Sequence, residues 1–132
     1  MSGSENEQIV RDIYERFGRG ELDAILTLLT DDVEWIVAPC ADVPFSGVHR
    51  GPQQVRAFFH NLAYFARFER FEPRETHVAG EAVFVLGRER AFSKPKDRVW
   101  ECDWIHVWKL RGGKVACFRE YTDTAAIAQA FV

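Results

Sequence analysis

From Ile9 onward, apolar residues recur three and four apart: Ile9, Val10, Ile13, Tyr14 and Phe17 fall on one side of a helix. Ser4 with Glu7 three residues later predicts a capping box at its start, and Gly18 and Gly20 predict its end. A shorter helix is expected over residues 21–29, burying Leu22, Ile25, Leu26 and Leu29. After Asp31-Asp32 the period falls to two in Val33-Glu34-Trp35-Ile36-Val37, which predicts a strand. Pro39, Pro44 and Gly47 make residues 38–50 a loop. Gly51-Pro52 then opens a third helix, with proline where its missing N–H costs nothing. Val55, Phe58, Phe59, Leu62 and Phe65 form its apolar stripe.

In the second half the period stays at two. Residues 74–79, 82–92, 99–110 and 114–122 are expected as strands, rich in Val, Phe, Trp and Tyr. Gly80-Glu81 and Gly112-Gly113 are tight connections, so consecutive strands are antiparallel neighbours. Asp123 caps a closing helix over residues 125–132. Helices first and a strand meander second predict an α+β fold, its N-terminal helices packed on the concave face of a curved, mostly antiparallel sheet.

Composition narrows this picture. The chain has 132 residues, 47% hydrophobic and 28% charged, which fits one globular domain over residues 1–132. A net charge of −3 lacks the basic footprint of a nucleic-acid binder. Cys40, Cys102 and Cys117 are odd in number and widely spaced, so neither a disulfide framework nor a metal site is expected. The polar start carries no secretory pattern, and no apolar run approaches the ~18 residues that span a bilayer. A cytoplasmic protein without membrane contact is the resulting expectation.

Strand register locates the charges. With Gly112-Gly113 as a hairpin tip, Ile105 lies opposite Glu120 and Val107 opposite Phe118. Closing the 93–98 loop symmetrically sets Arg88 opposite Asp103 and Arg90 opposite Glu101, pairing unlike charges. Arg88, Arg90, Glu101, Asp103 and Glu120 then share a face with Phe84, Leu86, Ile105, Val107 and Phe118. The apolar members argue that this face is covered. Its ionisable row reads either as the mouth of a pocket or as cross-strand ion pairs holding the hairpin. The opposite face carries Trp104, Trp108 and Tyr121 with Val83, Val85 and His106, which predicts a homodimer through the outer sheet face. His106 reads first as a packed or interfacial histidine and second as a pocket residue.

Three segments, GELDAILTLLTDDVEW (20–35), PFSGVHRGPQQVRAFF (44–59) and GGKVACFREYTDTAAI (112–127), resemble the SnoaL-like branch of the nuclear transport factor 2-like superfamily. That superfamily also holds ketosteroid isomerase and limonene-epoxide hydrolase. The resemblance spans about residues 9–131. It implies a cone-shaped α+β barrel with a deep apolar pocket, usually as a dimer. The catalytic positions of ketosteroid isomerase are similar to Ile13, Val37 and Ile105, all apolar, so that machinery is not implied. The acid, base and water-holding positions of limonene-epoxide hydrolase resemble Arg90, Arg88, Glu120, Trp35 and Val37, which keep an arginine and one carboxylate. SnoaL-like polyketide cyclases imply an acid/base carboxylate near Glu120 and a pocket histidine near His106.

The resulting expectation is a site with Glu120 as base and Arg88, Arg90 and Asp103 as its charge partners. Ile13, Trp35, Val37, Phe59, Phe84, Leu86, Ile105 and Phe118 form its walls, with no metal and no cofactor. Such a site suits a small-molecule isomerase, cyclase or hydratase acting on an apolar carbonyl compound by acid–base chemistry. The alternative is a ligand-binding or accessory protein of the same fold without catalysis.

Overall fold

The structure, a computed structural model, describes residues 2–132. Helix α1 (Gly3–Gly18) is capped two residues earlier than expected, at Ser2. The S-x-x-E pattern occurs twice in this stretch, and it is Ser2 and Glu5 that close the capping box. Helix α2 (Leu22–Leu26) is shorter than expected because Leu29 already belongs to strand β1 (Leu29–Val37). Part of the expected 38–50 loop forms β2 (Gly47–Arg50), which pairs antiparallel with β1. Helix α3 (Gly51–Phe65) begins at Gly51-Pro52 as the sequence predicts.

Strand β3 (Ala66–Ala79) follows α3 directly and is longer than residues 74–79. Its pairing with β4 (Ala82–Ser93) skips a residue between Phe68 and Arg70 and another between Pro73 and Glu75. Each bulge breaks the period of two and bends the strand, which hid its first half from the pattern. Strands β5 (Arg98–Arg111) and β6 (Lys114–Thr122) and helix α4 (Thr124–Ala128), capped by Asp123, complete the chain. The six strands lie in the order β2-β1-β6-β5-β4-β3, with only β1 and β6 parallel. The sheet is curved and unclosed, and the helices pack on its inner face.

Two registers decide which side chains face inward. Between β4 and β5 the expected pairs hold: Arg88 with Asp103, Arg90 with Glu101, Phe92 with Val99. Between β5 and β6 they hold only at the turn, where Arg111 meets Lys114 and Leu110 meets Val115. Ala116 is then skipped, so Lys109 meets Cys117, Trp108 meets Phe118 and His106 meets Glu120. A slip of one residue turns every later β6 side chain to the other face.

The covered face is therefore the opposite of the expected one. Trp100, Trp104, His106 and Trp108 point inward and are buried, joined by Phe118 on β6. Phe84, Leu86, Arg88, Arg90, Asp103 and Ile105 point outward, Ile105 being 40% exposed. Trp104 and Trp108 cannot form a dimer surface, since each is buried within its own chain; Tyr121 alone of that predicted set lies on the surface. Three bulky indoles fill the concavity better than the Phe84, Leu86 and Ile105 row, whose strand positions alternate with arginines that keep their water. Gly87 belongs to this packing. A Cβ there would come 2.3 Å from the Trp104 ring, so only glycine lets the indole lie against β4.

Candidate active site

The inner face of β5 and β6 and the inner side of α1 bring four polar side chains into contact. Trp108 Nε1 donates to the Tyr14 hydroxyl at 3.0 Å, Tyr14 lies 2.7 Å from His106 Nδ1, and His106 Nε2 lies 3.3 Å from Glu120 Oε2. An indole N–H can only donate, so the Tyr14 oxygen accepts from Trp108 and its own hydrogen goes to His106 Nδ1. The ring's hydrogen then sits on Nε2, directed at Glu120. Burial favours this neutral imidazole, pushing the His106 pKa down, while Glu120 offsets part of the fall. Burial likewise pushes the Tyr14 hydroxyl far above its ordinary value, so it serves as a proton-holding donor rather than a phenolate.

The imidazole is held rigidly. Its ring stacks on Trp104 at 3.9 Å between centroids, and Phe71 stacks on the same indole at 5.0 Å. Phe118 meets its edge at 4.7 Å and in turn stacks on Trp35 at 4.1 Å.

These groups line a cavity of about 70 Å³ on the inner face of the sheet. Ile13, Trp35, Val37, Phe59 and Phe118 line it, as does Glu120. Phe84, Leu86 and Ile105 do not, because the face on which they lie is outward. Arg88, Arg90 and Asp103 are also absent from it: they form an outer ion-pair ladder, with Arg88 2.9 Å from Asp103 and Arg90 3.3 Å from both Glu101 and Glu69. Contrary to the sequence expectation, none of these three side chains reaches the cavity on the inner face.

A second carboxyl group takes the place the arginines were given. Glu89 lies on the inner row of β4, 5% exposed, and lines the same cavity. Trp100 Nε1 donates to its Oε2 at 2.6 Å. Burial, reinforced by the charge of Glu120, pushes its pKa up to about 7. The signal for it was present: Val83, Val85, Gly87, Glu89 and Ala91 alternate as an apolar row with one carboxylate in it. Tyr14 carried no comparable signal, since a helix-face tyrosine looks like packing; His106 was indicated only by the resemblance to polyketide cyclases, its place among tryptophans otherwise reading as packing.

Aromatic rings crowd the cavity. Two surface grooves, one between α1 and β3 and one between α1, α3 and β3, share Phe17 and Phe68 with it. At about half the ~150 Å³ that accommodates benzene, the cavity is small for a ligand. Among the described residues no cluster of three His, Cys, Asp or Glu side chains is placed to hold a metal, and no helix is long and apolar enough to cross a membrane.

Helices over a curved, mostly antiparallel sheet with acid–base groups in an apolar hollow define a class of small-molecule pocket folds. A family model described as a SnoaL-like domain matches residues 10–118, and the chain belongs to that family. Among solved structures, an NTF2-like protein of Burkholderia xenovorans LB400 is 35% identical, with 100% of this chain and 99% of that one covered and a TM-score of 0.92. An NTF2-like protein of unknown function from Burkholderia pseudomallei K96243 is 30% identical over 100% and 99%, with a TM-score of 0.88. TerC, co-crystallised with polyporic acid, shares the fold at 23% identity over 96% and 98%, with a TM-score of 0.84. No curated protein matches the chain.

Proposed function

We propose that the protein is a cofactor-independent isomerase or cyclase that removes a proton from the carbon beside a carbonyl group of a small apolar compound, with Glu120 as the base. The observation that carries this reading is the Trp108–Tyr14–His106–Glu120 chain, every donor matched to an acceptor, ending on a carboxylate at the wall of an apolar cavity. His106 orients the carboxylate and spreads its charge through the Nε2–H bond, while Tyr14 fixes the tautomer. The aromatic walls keep water away, so a proton taken from one carbon is held for return to another or to a new ring. Trp35 adds an indole N–H that is buried without a partner, a donor suited to a ligand oxygen.

The test is exchange of the α-hydrogens of cyclopentanone in D2O, followed by NMR. Unmodified protein should accelerate exchange, and Glu120→Gln should lower the rate by ~100-fold or more. Equal rates for the two proteins would remove Glu120 as the base. The small, ring-filled cavity favours one other reading, a binding protein without turnover. Polyporic acid, taken from the TerC complex, is its probe: saturable quenching of tryptophan fluorescence without exchange of any ketone would select that reading.

A second copy of the chain is the partner this reading assigns to the outer sheet face. Phe84, Leu86, Ile105, Val107 and Tyr121 lie there among both signs of charge, a composition suited to a self-complementary contact. Ile105→Glu should convert a sedimenting dimer into monomer, and an unmodified protein that sediments only as monomer at micromolar concentration would remove the assignment.

A further inference from the structure

From the inner row of β4 we infer that Glu89 is a second reacting group of the cavity, a carboxylic acid that gives its proton to the ligand's carbonyl oxygen while Glu120 removes the proton from carbon. This rests on the carbonyl reading above for its reaction, but the hydrogen-bond donor role stands independently of it. The geometry carries it. Glu89 is 5% exposed, lines the cavity with Phe45 and Ile127, and has one partner, the indole N–H of Trp100 on Oε2. A buried carboxylate with a single hydrogen bond is costly, whereas a carboxylic acid in the same place has one oxygen satisfied and one O–H to offer.

The charged and titratable groups around it favour the acid form. Cys102 of β5 lies opposite it in register, and burial pushes that thiol up to about 11, so it stays uncharged. His106 of β5 is held neutral and Tyr14 of α1 protonated, and Glu120 of β6 supplies negative charge. Among the described residues, no lysine or arginine lines the cavity. Burial and the Glu120 charge together raise the Glu89 pKa to about 7.

The step balances. The C–H bond breaks, its proton goes to a Glu120 oxygen, and its electron pair becomes the carbon–carbon double bond of the enol. The carbonyl π pair moves onto oxygen, which forms a new O–H bond with the Glu89 proton. Glu89 is left as carboxylate and Glu120 as acid. The reverse transfers, delivered to a different carbon, complete an isomerisation with no oxidant or reductant.

Two measurements on the full chain test this, the second with cyclopentanone as probe. First, protein labelled with 13C at glutamate carboxyls should show one resonance titrating near pH 7, absent in Glu89→Gln and moved to lower pH in Glu120→Gln. Second, cyclopentanone affinity, read by tryptophan fluorescence, should fall about tenfold between pH 6 and pH 8.5 in unmodified protein and stay flat in Glu89→Gln. Glutamine keeps the acceptor for Trp100, so loss of folding does not confuse the result. A Glu89 resonance in the range of exposed carboxylates overturns the inference. So does a Glu89→Gln protein whose affinity and exchange rate follow the unmodified pH profile. If affinity follows Glu89 while no ketone exchanges its hydrogens, the isomerase reading fails and the donor role of Glu89 stands. If exchange depends on Glu120 and is indifferent to Glu89, the reverse holds.

Discussion

The two faces of the β4–β5 pair carry charged residues on alternate positions of the same strands, and they treat them in opposite ways. On the outer face Arg88, Arg90, Glu101 and Asp103 form a ladder of ion pairs open to water. On the inner face Glu89 and His106 are buried, Glu89 answered by the Trp100 indole and His106 by the Tyr14 hydroxyl and the Glu120 carboxylate, each with its pKa displaced toward the neutral form. The outer groups keep their hydration and gain little from pairing, since exposed pairs are screened. The inner groups have lost hydration, so their protonation is set by the fold. The groups whose protonation the fold displaces are therefore the ones that look sparse in sequence, beside a richer cluster of charge that stays in solvent.

The largest expected difference between the faces is packing. Trp108→Ala should cost about 3–5 kcal/mol, because it removes a buried indole and the donor to Tyr14. Denaturant titration measures it, and a loss below ~1 kcal/mol would mean the inner core collapses around the gap.

Protonation comes next. The folded Glu89 binds its proton more tightly than the ordinary value of 4.5, so it stabilises the fold least above pH 7, where a carboxylate must be buried. Glu89→Gln should thus gain up to about 3 kcal/mol at pH 8 and lose that advantage as pH falls toward 4.5. No gain at pH 8 would place a counter-charge or water beside the carboxylate.

His106 acts with the opposite sign. Its folded pKa lies below the ordinary 6.5, so the unfolded chain takes up the proton first and stability drops as pH falls through about 6.5. His106→Phe keeps the stack on Trp104 and should flatten that slope in a thermal melt series. An unchanged slope would assign it to another group.

The smallest effect belongs to the outer ladder. Asp103→Ala and Arg88→Ala should leave the melting temperature of the isolated chain unchanged within error. A clear loss in either would show that this face is covered, and sedimentation of the same variant would tell whether a second copy covers it.

Much of the fold was legible. Gly51-Pro52 marked the start of α3, Asp123 capped α4, and unlike charges fixed the β4–β5 register, because each of these signals is local. The bulges were not legible. Skipping Ala116 in β6 requires nothing of its own sequence; it is favoured by what Phe118 and Glu120 then touch across the sheet. Glu120 reached the cavity side in the sequence argument through two displacements that cancel, a register off by one and a face reversed. Arg88 and Ile105, placed by the face alone, did not benefit.

What the sequence by itself determined is every element but the short β2, their order, and the alternation that separates two rows on most strands. Those features follow from local periodicity and turn geometry, which need only neighbouring residues. Which row faces the helices was decided by the tertiary structure. Both rows are apolar enough to be covered, so the choice falls to volume and solvation: indoles fill the concavity beneath α1 and α3, while arginines on the other row keep their water. That choice also brought Tyr14, His106, Glu120 and Glu89 together from one helix and three strands, a meeting that no spacing along the chain records.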